Sequence, residues 1–158
     1  VARRRTPVPL DANSRAARSL ALALMAEHGL FGWSFAFNNR KRGLGLCRYE
    51  PKVIELSRYY AARNPIEHIR DTILHEIAHA LVGPGHGHDA VWRAKCLEVG
   101  AVPVRCGTAD MPAGRWHATC GGCGSNFQRH RKPRRLTGWY CRDCGVFKGQ
   151  FIWRLRTS

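Results

Sequence analysis

The chain is 158 residues long, 44% hydrophobic and 23% charged, with 26 Lys and Arg against 11 Asp and Glu for a formal net charge of +15. That length holds one principal core and at most a small satellite, which excludes a large multidomain enzyme. No apolar run approaches the ~18 to 20 residues that span a bilayer, the longest being the seven of Leu20 to Ala26.

The excess charge is uneven. Residues 1–114 hold 16 basic against 10 acidic residues, whereas residues 115–158 hold 10 basic residues against Asp143 alone. Clusters recur at Arg3 to Arg5, at Arg40 to Arg42, and at Arg129, Arg131, Lys132, Arg134 and Arg135. Such a field suits a polyanion. No basic amphipathic helix with a broad apolar face accompanies it, so nucleic acid, DNA foremost, is the expected partner rather than a membrane surface.

In chain order, a basic arm over residues 1–9 comes first. Leu20 and Leu24 then recur at helical spacing with Gly29 as a stop, which predicts an amphipathic core helix rather than a secretory or targeting segment. A cytoplasmic or nucleoid-associated protein that is not secreted is the expectation. Trp33, Phe35 and Phe37 alternate with Ser34 and Ala36 as in a half-buried strand, and residues 38–43 form a polar, basic turn into the next apolar segment.

Asn64-Pro65-Ile66-Glu67 reads as a helix start, with Asn64 as cap, Pro65 at the first helical position and Glu67 completing a capping box. Ile66, Ile69, Ile73 and Ile77, then Ala80 and Leu81, repeat at helical intervals until Gly83-Pro84-Gly85. The expected element is a buried helix of about five turns. Inside it lies His75-Glu76-Ile77-Ala78-His79. A four-residue step puts both imidazoles on one helix face, within reach of one metal ion, and the adjacent Glu76 can reach a water activated there and take its proton. A third ligand is offered by Gly85-His86-Gly87-His88, where His86 and His88 compete. A metzincin would need Gly where Val82 stands and a ligand where Gly85 stands, so that subclass is excluded.

Seven cysteines complete the inventory: Cys47, Cys96 and Cys106 are isolated, while Cys120-Gly-Gly-Cys123 and Cys141-Arg-Asp-Cys144 form two C-x2-C pairs 17 residues apart. That spacing is a zinc ribbon's, a closed structural site of four thiolates. Zinc also accounts for stability, because a segment of about 40 residues buries too little surface to fold unaided. Phe127, Trp139, Tyr140, Phe147, Phe151 and Trp153 lie among the basic residues. Two or three of these rings are expected to form a minimal core and one or two, Trp139 or Phe127 among them, to serve as platforms for single-stranded bases.

From about Leu10 to Trp153 the chain resembles the SprT-like metalloprotease family, which includes DNA-dependent proteases that act on DNA–protein crosslinks. The resemblance rests on the N-terminal helix, strands at Leu44-Gly45-Leu46-Cys47-Arg48-Tyr49 and Ile54-Glu55-Leu56-Ser57, the HExxH helix, a Gly-rich loop with a third His, and the terminal ribbon. In that family the third zinc ligand stands four residues before an aromatic, as His88 stands before Trp92. The resemblance therefore implies zinc binding by His75, His79 and His88, with Glu76 as catalytic base. Asp89 replaces the family's usual Gly and is placed to cap a helix from Ala90 to Val99.

The expected architecture is α+β: a zincin-like HExxH domain with a small sheet over residues 10–107, a linker over 108–116, and a ribbon over 117–158 with a basic C-terminal strand. Two Zn2+ ions are expected, a catalytic ion at His75, His79 and His88 and a structural one at Cys120, Cys123, Cys141 and Cys144. The expected function is a zinc metallopeptidase acting on nucleic-acid-associated proteins, with DNA held by Arg129, Arg131, Lys132, Arg134, Arg135 and Trp139. The alternative is a nucleic-acid-binding zinc adaptor with little or no turnover.

Overall fold

A computed structural model describes residues 9–103 and 109–157. The Arg3 to Arg5 cluster and Cys106 lie outside the described residues. The chain is mixed α and β and separates into two compact units, residues 1–111 and 112–158.

The first unit is organised around one helix. Helix α1 (Ala12–Glu27) is capped by Asp11, whose carboxylate accepts from the Ser14 N–H at 2.8 Å and the Ser14 hydroxyl at 2.9 Å. It buries Ala17, Ala21, Leu24 and Met25 and ends before Gly29, whose φ of 74° is one that L side chains rarely adopt. Strands β1 (Ser34–Asn38), β2 (Gly45–Arg48) and β3 (Val53–Ser57) form a sheet of order β1-β3-β2. The β1–β3 pair is parallel and the β2–β3 pair antiparallel, which leaves β2 on an edge. A short helix α2 (Arg58–Arg63) follows, then α3 (Ile66–Val82) and α4 (Ala90–Glu98).

The isoleucine period puts Ile69, Ile73 and Ile77 on the buried face of α3, joined by Leu74 and Ala78. Helix α1, helix α4 and strands β2 and β3 all pack against it. At 1.5 Å per residue its 17 residues run about 25 Å, so α3 is the axle of the core.

The expected capping box at the start of α3 does not form. Pro65 occupies the cap position without a side-chain bond. Asn64 is instead buried, donating to the Tyr60 and Asp110 carbonyls and accepting from the Asp110 N–H at 2.9 Å. Those long-range bonds satisfy an amide that would otherwise be orphaned, and they outcompete a local cap. Ala109 and Met111 pack on the same core, so these residues of the expected linker belong to the first unit.

The second unit contains β4 (Trp116–Thr119), β5 (Asn126–Arg129), β6 (Trp139–Tyr140), α5 (Gly145–Lys148), β7 (Gln150–Phe151) and β8 (Arg154–Leu155). They make a three-stranded sheet, β5-β4-β8, and a two-stranded one, β6-β7. Its core is Ala118, Phe151 and Trp153, with Trp116, Phe127 and Trp139 packed on it. No helix of the described residues is long and apolar enough to cross a membrane.

Candidate metal centres

Helical periodicity does for α3 what the sequence predicts: His75 and His79 project from one face with ring centroids 5.1 Å apart. The loop before α4 brings His88 against both, its Nε2 lying 3.1 Å from that of His75 and 3.3 Å from that of His79. All three offer ligand atoms within 4.8 Å of one another. Around a tetrahedral zinc with Zn–N distances of ~2.0 to 2.1 Å, ligand nitrogens stand about 3.3 to 3.4 Å apart. The donor set therefore fits a zinc ion in both chemistry and spacing.

His86, the competitor, is turned elsewhere: its Nδ1 lies 2.7 Å from the Asp89 carboxylate. Asp89 in turn caps α4 by accepting from the Trp92 N–H at 2.9 Å, and that bond, followed by the His86 contact, holds its carboxyl below the usual range. Trp92, 1% exposed, floors the centre. Its ring lies 4.6, 5.1 and 4.4 Å from those of His75, His79 and His88. Burial, with the neighbouring imidazoles, pushes His75 and His79 down to about 4. Both are thus neutral at pH 7, the state in which imidazole ligates a metal.

Glu76, next to His75, is 8% exposed, and burial pushes its carboxyl up to about 7. The nearby Cys47 backbone N–H and the positive charge of Arg40 oppose that rise. Cys47 carries a half-buried thiol that burial and the Glu76 charge push up to about 11, so it stays protonated. The contribution of β2 to this pocket was not anticipated from the sequence. Gly45 was the available signal, since a glycine inside a strand often marks a close approach.

A model of the SprT-like family matches residues 17–117, a span that includes all three histidines and Glu76 and stops short of Cys120. The chain belongs to the SprT-like family. SprT-like membership brings with it a metalloprotease-like role. No curated protein and no solved structure matches the chain.

The second centre lies beyond the SprT-like match. Cys120, Cys123, Cys141 and Cys144 also offer ligand atoms within 4.8 Å of one another. The Cys123 and Cys141 sulfurs are 3.8 Å apart, close to the ~3.75 Å edge of a tetrahedron with Zn–S bonds of ~2.3 Å. The N–H groups of Gly122 and Cys123 donate to the Cys120 sulfur at 3.3 and 3.4 Å, and the Ser125 hydroxyl lies 3.0 Å from that of Cys123. Hydrogen bonding to Ser125, foremost, lowers the Cys123 thiol to about 6. Gly122 is required for the knuckles to meet, because a Cβ there would stand 2.8 Å from the Lys148 carbonyl oxygen and 2.9 Å from the Cys144 sulfur.

Around the ribbon, Arg131, Lys132, Arg134 and Arg135 are exposed. Arg129 is exposed too, its guanidinium 4.5 Å from the Trp139 ring centre and 5.4 Å from that of Trp153. Trp139 is half-buried, edge-on to Trp153 at 6.0 Å, and donates through its indole N–H to the Arg135 carbonyl at 2.8 Å. Phe127 stacks on Phe151 at 4.6 Å. The rings that stand in solvent are Phe147, 95% exposed, and Tyr140, 50% exposed.

Proposed function

We propose that this chain is a zinc-dependent peptidase acting on proteins associated with nucleic acid, with a zincin-like catalytic unit and a basic zinc ribbon as the anchor. The observation that carries the catalytic half is the convergence of three imidazole nitrogens, two of them on the helix that also carries a buried carboxyl, Glu76. A purely structural zinc site closes with a fourth ligand, whereas three histidines leave a position open for reactants.

His75, His79 and His88 would hold the catalytic ion, and four cysteines the structural one. Bound zinc supplies Lewis acidity, which polarises a carbonyl and acidifies water. Glu76 takes the proton from the attacking water as its oxygen joins the peptide carbonyl carbon. It returns that proton to the departing amine nitrogen as the C–N bond breaks. A carboxyl near 7 suits both transfers at neutral pH. Trp92 keeps the imidazoles in register from beneath, and Asp89 anchors the helix that carries Trp92.

For the nucleic-acid half, the support is the exposed run of Arg131, Lys132, Arg134 and Arg135 together with free ring faces at Phe147 and Tyr140. Phosphates would meet the cations and unpaired bases the rings. Trp139 packs on Trp153, so Phe147 and Tyr140 take over the stacking role expected of it, while exposed Arg129 stays with the basic residues expected to meet phosphates.

The test is cleavage of a DNA-bound protein by the zinc-loaded chain, alone and with single-stranded or duplex DNA. Hydrolysis stimulated by DNA is expected. DNA binding without hydrolysis in any condition would instead make the chain an adaptor.

A further inference from the structure

We propose that Gly45 is a positioning residue for Glu76, an inference that rests on the reading of Glu76 as the proton carrier. Gly45 pairs with Leu56 of β3, and its φ lies outside the left-handed region, so its backbone admits any L-residue. What excludes a side chain there is Glu76 itself. A Cβ at position 45 would stand 2.7 Å from the Glu76 Oε1, 2.8 Å from its Cγ and 3.0 Å from its Cδ. Carbon atoms pack at ~3.5 to 4.0 Å, so the carboxyl lies against the strand only because no methyl is there.

The same strand supplies the polar half of the cradle. Two residues on, the backbone N–H of Cys47 lies close enough to the Glu76 carboxyl to favour its charged form. Two residues further, the Tyr49 hydroxyl lies 3.0 Å from the His79 carbonyl oxygen and 3.1 Å from that of Gly83. Gly45 and Cys47 of β2 thus meet α3 at the base, and Tyr49, just past the end of β2, meets it at the second histidine. A glutamate has three side-chain torsions to restrain, and a carboxylate free to rotate would sample many positions away from the reacting water. Bare backbone at Gly45 gives the carboxyl its place against β2. Glycine inside a strand weakens the strand, and here the close approach of Glu76 gives it a use.

The experiment is a double-mutant cycle on the full, zinc-loaded chain with Gly45→Ala and Glu76→Ala. Gly45→Ala is expected to lower Tm by about 2 °C or more in the wild-type background. In the Glu76→Ala background the space is vacant and the same change should not lower it. Gly45→Ala should also reduce kcat by ~100-fold, as a displacement of about 1 Å does, with KM and zinc content preserved. Equal Tm losses in both backgrounds, or wild-type kcat in Gly45→Ala, would overturn the proposal. Coupling in Tm when even the wild-type chain hydrolyses nothing would uphold the cradle while refuting the proton-carrier reading, so the two failures are distinguishable.

Discussion

Replacing His88 by Ala, with His86→Ala as its control, probes the histidine centre most sharply. The His88 Nε2 lies 3.1 and 3.3 Å from its two partners, within about 0.3 Å of the separation that a tetrahedral zinc imposes. The site is therefore preorganised, and His88 is one of three donors. Loss of residues that merely orient ligands costs ~10 to 100-fold in metal affinity, so removing a direct ligand should cost at least ~100-fold, or about 2.7 kcal/mol. His86 touches Asp89 rather than the cluster, and Asp89 keeps its bond to the Trp92 N–H without it. His86→Ala should thus weaken zinc binding by no more than ~10-fold. The assay is graded competition with a chelator followed by elemental analysis, the four-thiolate ion of the ribbon serving as internal standard. Equal losses in the two variants, or wild-type retention by His88→Ala, would refute the assignment.

Other perturbations read the scaffold. Asp11→Ala should cost about 1 kcal/mol and a few degrees of Tm through the lost cap of α1. Because the Ser14 N–H, foremost, lowers the Asp11 carboxyl beneath its ordinary 3.8, that contribution is fully present above this pH and is lost as pH falls through the lower folded value. The Tm gap between wild type and variant should therefore close in acid. Gly122→Ala should cost the ribbon its zinc, since the new methyl meets a backbone carbonyl as well as the Cys144 sulfur; zinc content falling from two ions to one, with the histidine ion kept, checks it. Replacing Arg131, Lys132, Arg134 and Arg135 together by Ala should lower the slope of log affinity against log salt for DNA by up to about 3 to 4 units. An unchanged slope would remove this loop from the interface.

Helix α3 was legible in the sequence because one period does two jobs. The spacing that buries Ile69, Ile73 and Ile77 also fixes where His75 and His79 point, so the pattern of apolar residues carries the geometry of the histidine pair. His88 was legible only through its interval to Trp92, since it stands in a loop where no period acts. Asn64 misled because a local cap and a long-range bond to Asp110 call for the same residue type, and only the folded chain decides between them. The parallel pairing of β1 with β3 is likewise invisible locally: β2 comes between them in sequence yet lies on the edge of the sheet. In the ribbon, alternating aromatics and cations do not reveal which rings find partners. Trp139 found Trp153 and Arg129, and Phe147 found none among the ring and cation contacts of the described residues.

The most direct measurement of the central claim is a comparison of wild-type and Glu76→Gln chains, in which peptide hydrolysis and zinc content are determined on the same samples. Gln keeps the shape of the side chain and removes the proton acceptor. The account predicts two zinc ions in each chain and a loss of hydrolysis of ~100-fold or more in the variant. Full activity in Glu76→Gln, or loss of the histidine-bound ion from it, would contradict the account.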